Sequence, residues 1–198
     1  MGRFFKDCID RVGAGVLILF LLPLFSLLTL IVLIDDGRPI IYRRRVVGRR
    51  GEFDAFKFRT MRRDADAVLA GDAALKSEFE RNFKLRSDPR VTRAGALLRK
   101  YSLDELPQLF NVAKGQMSLV GPRMITAQEL SKYGQYQELL MTTKPGLTGY
   151  WQTRGRQQTS YEERVRMDVH YITNWSLGLD LRILFKTPWK VITGKGAY

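Results

Sequence analysis

The feature that most constrains this chain is a run from Val12 to Ile34 without a charged residue, interrupted near its middle by Pro23. As one continuous helix its 23 residues would reach about 35 Å at roughly 1.5 Å per residue. That is enough to cross a bilayer core about 30 Å thick. A buried helix of a soluble protein and a signal peptide are the competing readings. The signal reading is weakened because the run is long and passes into Asp35-Asp36-Gly37-Arg38 with no small-residue cleavage site. Pro23 removes a backbone donor and bends a helix. Arg3, Lys6 and Arg11 precede the run, and Arg38, Arg43, Arg44, Arg45, Arg49 and Arg50 follow it. Basic flanks favour the cytoplasmic side, so a straight span misplaces one of them. A helix broken at Pro23 that dips in and returns satisfies both. Asp7 and Asp10 offset part of the first flank, so an ordinary kinked span stays open. The expectation is a membrane-anchoring re-entrant helix over 1–36 and a cytosolic domain over 37–198.

Composition narrows the chemistry. The 198 residues carry a formal charge of +13, and 45% are hydrophobic, enough for a core. A lone Cys8 excludes an internal disulfide and multi-cysteine zinc sites. A lone His170 excludes HExxH metal sites and two-histidine relays; its expected role is a structural hydrogen bond. Catalysis must rest on Asp, Glu, Lys, Arg, Ser or Tyr. The positive charge implies an anionic partner: nucleic acid, anionic lipid or a phosphorylated substrate.

Along the rest of the chain, residues 39–61 read as strand, turn at Gly48–Gly51, strand. Ten Lys/Arg lie between residues 38 and 63, which suits anionic headgroups or phosphates. Residues 64–85 read as an amphipathic helix with Gly71 a weak point. Ser102-Leu103-Asp104-Glu105-Leu106-Pro107 offers a capping box from Ser102 to Glu105, or Asp104 as the cap ahead of Pro107. Either way the two carboxylates fall at a helix N-terminus, which stabilises their ionised forms; simple capping is the plain alternative. Residues 115–123 read as turn, short strand and a turn presenting Arg123. A helix over 126–141, a glycine-containing loop over 144–149 and a helix over 160–171 follow. Arg154 and Arg156 flank Gly155 and suit phosphate. The segment 179–192, with Trp175 and Trp189 nearby, fits either a membrane interface or core packing. No internal repeat or linker is visible, so one catalytic unit is expected.

Together these segments resemble the bacterial sugar transferases, the monotopic phosphoglycosyl transferases. The stretches that carry the likeness are the Pro-broken apolar run, Lys57-Phe58-Arg59-Thr60-Met61, Arg99 to Leu109 (RKYSLDELPQL), Met117 to Arg123 (MSLVGPR), Pro145 to Arg156 (PGLTGYWQTRGR), Asn174 to Thr187 and the terminal Gly196-Ala197-Tyr198. The ending is most similar to the hexose-phosphate branch, which includes undecaprenyl-phosphate galactose and glucose phosphotransferases. The family often has serine before the helix-breaking proline; here Leu22 stands there. Longer members carry further N-terminal membrane helices and a regulatory domain, and this chain looks like the catalytic core.

The resemblance implies an α/β, mainly helical fold: a re-entrant helix, then a compact cytosolic domain with short strands and interfacial amphipathic helices. It implies transfer of sugar 1-phosphate from a UDP-sugar to a polyprenyl phosphate at the cytosolic face of the bacterial inner membrane. Asp104 matches the family's nucleophile and Glu105 the adjacent glutamate that helps hold Mg2+. Lys57, Arg59, Arg99, Pro122, Arg123, Arg154 and Arg156 are the expected phosphate-binding set. The expected partners are the UDP-sugar, the polyprenyl phosphate and the lipid bilayer, with no nucleic acid; a homodimer stays open. A carboxylate nucleophile needs no histidine, in keeping with the composition. The rival reading is a non-enzymatic basic adaptor on the membrane that binds anionic lipid or nucleic acid.

Overall fold

The apolar run forms two helices, α1 (Gly2–Phe20) and α2 (Leu22–Asp36), bent by 66° across Leu21. The computed structural model describes residues 2–82, 85, 88–154 and 159–192. The break expected at Pro23 therefore lies two residues earlier. Pro23 sits in the first turn of α2, where its missing N–H has no intrahelical partner to lose. The ladder continues around it, with Leu21 N–H on the Leu17 carbonyl at 2.9 Å and Phe25 N–H on that of Leu21 at 2.8 Å. Neither helix alone is long and apolar enough to cross a membrane; the bent pair together reaches that length and composition. Phe4, Val12, Val16, Leu19 and Phe20 of α1 and Leu27, Leu30 and Ile34 of α2 are exposed.

The other faces of the pair join the rest of the chain. On α1, Ala14 is wholly buried in the main core with Val112, Met117 and Leu119. On α2, Leu28 and Val32 pack with Phe58 and Leu98 in a second, smaller core. A buried polar network also fastens α1. Asp10 accepts from Ser118 Oγ at 2.6 Å and from the Leu119 N–H at 3.2 Å. Lys6 Nζ reaches Asp180 Oδ2 at 2.6 Å. Asp180 also accepts from the Tyr171 hydroxyl at 2.7 Å and the Trp175 indole N–H at 3.0 Å.

The hairpin read from residues 39–61 is present. Strands β1 (Ile41–Gly48) and β2 (Gly51–Phe58) pair antiparallel from Ile41 opposite Phe58 to Gly48 opposite Gly51, with Arg49-Arg50 at the tip. The single helix expected over 64–85 is two, α3 (Ala65–Gly71) and α4 (Ala73–Asn82). Asp72 divides them: its Oδ1 accepts from the N–H groups of Ala74 and Leu75, at 2.9 and 3.0 Å, and so starts a new helix. Phe83 and Ser87 lie outside the described residues. Helix α5 (Arg93–Lys100) is capped by Thr92 Oγ1, which accepts from the Gly95 N–H at 2.9 Å. Gly95 rests directly on the Thr60 carbonyl, so any Cβ there would overlap backbone.

After α6 (Gln108–Ala113) comes β3 (Ser118–Val120), the expected short strand. The helix expected over 126–141 is α7 (Ala127–Leu130), a 3-10 turn over Ser131–Tyr136 and α8 (Gln137–Met141). Gly134, at φ 51°, ψ −126°, breaks the helical path. The loop expected over 144–149 contains a strand, β4 (Gly146–Thr148), parallel to β3. Gly121 and Gly146 make this pairing possible. Gly121 N–H bonds the Thr148 carbonyl at 3.0 Å and Gly146 N–H that of Pro122 at 2.8 Å, at a separation where a Cβ on either glycine would strike the other's backbone.

Three helices close the chain: α9 (Tyr150–Arg154), α10 (Tyr161–Thr173) and α11 (Leu177–Ile192). Ser160 caps α10 in a capping box with Glu163. Helix α11 bears out the core-packing reading of the tail on one face and leaves an apolar face exposed on another. Ile183 is buried in the main core, with Leu179 and Leu184 packed against it. Leu177, Leu181, Phe185 and Trp189, each four residues from the last, form an exposed apolar stripe. The chain is thus mainly helical with two short two-stranded sheets, as expected.

Candidate active site

Asp104 and Glu105 lie in a 3-10 turn, Leu103–Glu105, between α5 and α6. The expected caps do not form there. Ser102 is left-handed (φ 53°, ψ 24°) and its side chain caps nothing. Helix α6 starts only after Pro107, which itself occupies the cap position. A proline there needs no donor, so the helix begins late and neither carboxylate is engaged in capping. Both are left for the cleft.

That cleft, about 2070 Å³, is lined by Lys57, Arg59, Arg99, Asp104, Glu105 and Arg123 among others. Asp104 is buried, 7% exposed. Lys57 Nζ bridges the pair, 2.6 Å from Glu105 Oε1 and 3.8 Å from Asp104 Oδ2. The two carboxyls are driven apart. Burial raises Asp104 above its ordinary value; Lys57 opposes the rise and the adjacent Glu105 adds to it. Burial also acts to raise Glu105, but Lys57 and Arg123 outweigh it and hold that carboxyl low. A helix terminus stabilising both anions equally is therefore not what this site provides.

The expected cations divide. Arg99, on the last turn of α5, donates from Nε to Thr60 Oγ1 at 2.8 Å, and its charge acts on Asp104. Arg123 acts on Glu105. Arg59 donates from Nη2 to the Asp36 and Gly37 carbonyls at the end of α2, at 2.6 and 2.8 Å, while its Nε and Nη1 are buried without a partner. Pro122 lies outside the cleft's lining, with its carbonyl in the β3–β4 link. Arg154 also lies outside it, exposed and stacked 4.5 Å from the Tyr150 ring centroid. Arg156 lies outside the described residues. His170 has the structural role expected, with Nδ1 3.2 Å from Asn174 Nδ2 and its ring against Tyr150.

The family described as bacterial sugar transferase matches residues 1–194. The chain belongs to the bacterial sugar transferase family. A UDP-galactose-lipid carrier transferase of Erwinia amylovora is 46% identical over 99% of this chain and 42% of its own length. An undecaprenyl-phosphate galactose phosphotransferase of Salmonella typhimurium is 45% identical over the same shares. The exopolysaccharide production protein ExoY of Sinorhizobium fredii is 43% identical over 100% of this chain and 90% of its own length. The chain thus spans less than half the length of the first two relatives.

The chain also holds a second group on the cleft wall that the sequence did not single out. Arg164, in the first turns of α10, lies 4.0 Å from the Tyr161 ring centroid and 5.6 Å from that of Trp151. Arg123 lies 5.2 Å from the Trp151 ring. The signal available was the Ser160-x-x-Glu163 box, which starts a helix and places Arg164 one turn in. Asp168, fully buried, accepts from the Tyr133 hydroxyl at 2.8 Å. Burial pushes its carboxyl up to about 7 against the pull of Tyr133 and Arg164.

Proposed function

We propose that this chain transfers a hexose 1-phosphate from a UDP-sugar to undecaprenyl phosphate, giving undecaprenyl-diphosphate-sugar and UMP. This would be the first membrane step of exopolysaccharide, O-antigen or capsule synthesis. The observation that carries the reading is the buried Asp104, uncapped and facing a cationic cleft, with Lys57 bridging it to Glu105.

The chemistry follows from that arrangement. An Asp104 oxygen attacks the phosphorus next to the sugar, and the bond from that phosphorus to the bridging oxygen breaks. The electron pair leaves with UMP. An oxygen of the lipid phosphate then attacks the aspartyl-phosphosugar and returns Asp104 as a carboxylate. Lys57, Arg99 and Arg123 lower the repulsion between an anionic nucleophile and an anionic diphosphate.

Mg2+ fits the donor set. It favours one or two carboxylates completed by phosphate oxygens rather than an all-protein cage. The cleft presents two adjacent carboxylates, Asp104 and Glu105, within that number. Glu105 would hold the ion, with Asp104 beside it. When bound, Mg2+ supplies neutralisation of the diphosphate charge.

The bent pair α1–α2 serves as a re-entrant anchor over 1–36, with the dyad at the cytosolic face of the bacterial inner membrane, where both substrates' phosphates lie. The domain over 37–198 carries the chemistry. Exposed side chains on both limbs and on α11 support this placement. The basic-adaptor alternative finds no support in the named relatives.

The test is UMP release by the purified chain in lipid, with Mg2+, undecaprenyl phosphate and a panel of UDP-sugars, beside Asp104→Asn. Release with one donor, lost in the variant, is expected and names the sugar. Equal release by Asp104→Asn would remove the covalent mechanism.

A further inference from the structure

The Arg164 cluster holds buried polar groups that do not meet one another. Among the described residues, Arg164 Nε and Nη2 and Trp151 Nε1 are buried with no hydrogen-bond partner. Trp151 is 91% buried, its exposure being 9%. A buried donor left unpaired is destabilising, so orphaned groups side by side need an explanation. Asp168 does not provide one. It is one turn along α10, yet no ion pair within 4.0 Å joins it to Arg164 among the described residues, and its own Oδ1 is also unpaired. Glu129 is engaged elsewhere, with Arg44 Nη2 at 3.3 Å and in the cap of α7.

The charges repeat the point. Arg164 and Arg44 both act on Arg123 as like charges. Two guanidiniums stacked on the Trp151 ring, with buried N–H groups of Arg164 and Trp151 unmet, match an anion that accepts several hydrogen bonds. Phosphate oxygens do so. Arg123 feels both Glu105 and Arg164, so it stands between the dyad and this wall.

We infer that Arg164 and the Trp151 indole N–H receive the phosphate that leaves with the nucleoside. This rests on the reaction proposed above. In an in-line displacement the leaving oxygen lies opposite the attacking carboxylate. The phosphorus attacked by Asp104 takes the Lys57 and Arg99 end. The second phosphate of the same diphosphate takes the Arg164 end, and Arg123 lies between them. The wall then stabilises the charge that develops on the departing monophosphate.

The lipid phosphate offers the same chemistry, so the test separates the two sources. Binding of UMP and of inorganic pyrophosphate is measured by calorimetry on the full chain in lipid nanodiscs. KM is measured for the UDP-sugar and for undecaprenyl phosphate. Arg164→Gln is expected to weaken both probes at least about tenfold, the scale of a lost charge-assisted hydrogen bond, and to raise KM for the donor alone. Trp151→Phe keeps the ring and removes one N–H, so it guards against a folding failure; a smaller loss in the same direction is expected. Wild-type affinity in both variants, or a KM rise for the lipid alone, would overturn the assignment. If the wild-type chain transfers sugar phosphate while Arg164→Gln binds UMP normally, the inference fails and the reaction stands. If the wild-type chain transfers nothing from any donor, yet Arg164→Gln loses pyrophosphate, the reaction fails and the anion site stands.

Discussion

Around Asp180, Lys6, Tyr171, Trp175, Asp10 and Ser118 form a closed polar network in which no side-chain atom is left buried and unpaired. Around Arg164 the same kinds of group, a cation, an indole and a carboxylate, leave buried donors and an acceptor unmet. The two clusters belong to one chain and share helix α10, so the difference does not reflect a chain unable to pair its polar groups. The first cluster joins α1 to β3 and α11 and has no opening to serve. The second lines the cleft. The closed network ties elements of the fold together, and the open one is the inferred anion site.

That contrast breaks most sharply at the dyad. Asp104→Asn is expected to lower transfer by roughly 10³-fold or more while leaving the thermal midpoint unchanged or higher, because it removes a carboxyl that burial disfavours. Paired activity and melting measurements check both halves. The opposite signature is expected at Asp180→Ala. It strands Lys6 and the Trp175 N–H, and a buried pair that loses one member costs about 3–5 kcal/mol. Denaturant unfolding should show that loss, with the protein that remains folded still binding UMP.

Asp168 yields a pH effect of intermediate size. Its folded value of about 7 stands above the ordinary 3.8, so folding takes up a proton between those values. Its contribution to stability is full below about pH 4, falls by on the order of 1 kcal/mol per pH unit as pH rises, and levels off above about 7. Melting wild type and Asp168→Asn side by side from pH 4 to 8 should show that slope only in the wild type. The groups facing Asp168 are Tyr133, Arg164 and Arg123. The smallest effect is expected at Ser102. A left-handed serine costs more than a left-handed glycine, so Ser102→Gly should add roughly 0.5–1 kcal/mol of stability. A drop in turnover alongside that gain would mean the turn's rigidity matters to Asp104.

What the sequence revealed depended on neighbours along the chain. The β1–β2 hairpin followed from alternation and a Gly48–Gly51 turn, and Asp104-Glu105 stood out as adjacent carboxylates before a proline. What it hid depended on distant neighbours. The β3–β4 pair is three residues per strand, too short for periodicity, and exists because two glycines meet. Asp10 read as a charge offsetting a basic flank; it is a buried acceptor for Ser118, 108 positions away. Arg59 stood out as a basic residue near others, which gave no sign that its Nη2 closes the end of α2. Arg164 carried no local mark, since only packing shows that a guanidinium lacks a partner.

The bend at Leu21 has one more consequence. Its two limbs rest on different supports: α1 on the main core and α2, through Leu28 and Val32, on Leu98 of α5. Helix α5 also carries Arg99 in its last turn, just before the dyad's turn. On the membrane placement proposed above, the 66° corner would work as a depth gauge. The height that a lipid surface set for the two limbs would pass to Asp104 through one short helix, so the proposed acceptor's headgroup would have to come to the carboxylate's level, and a thinner or thicker bilayer would change the distance it travels.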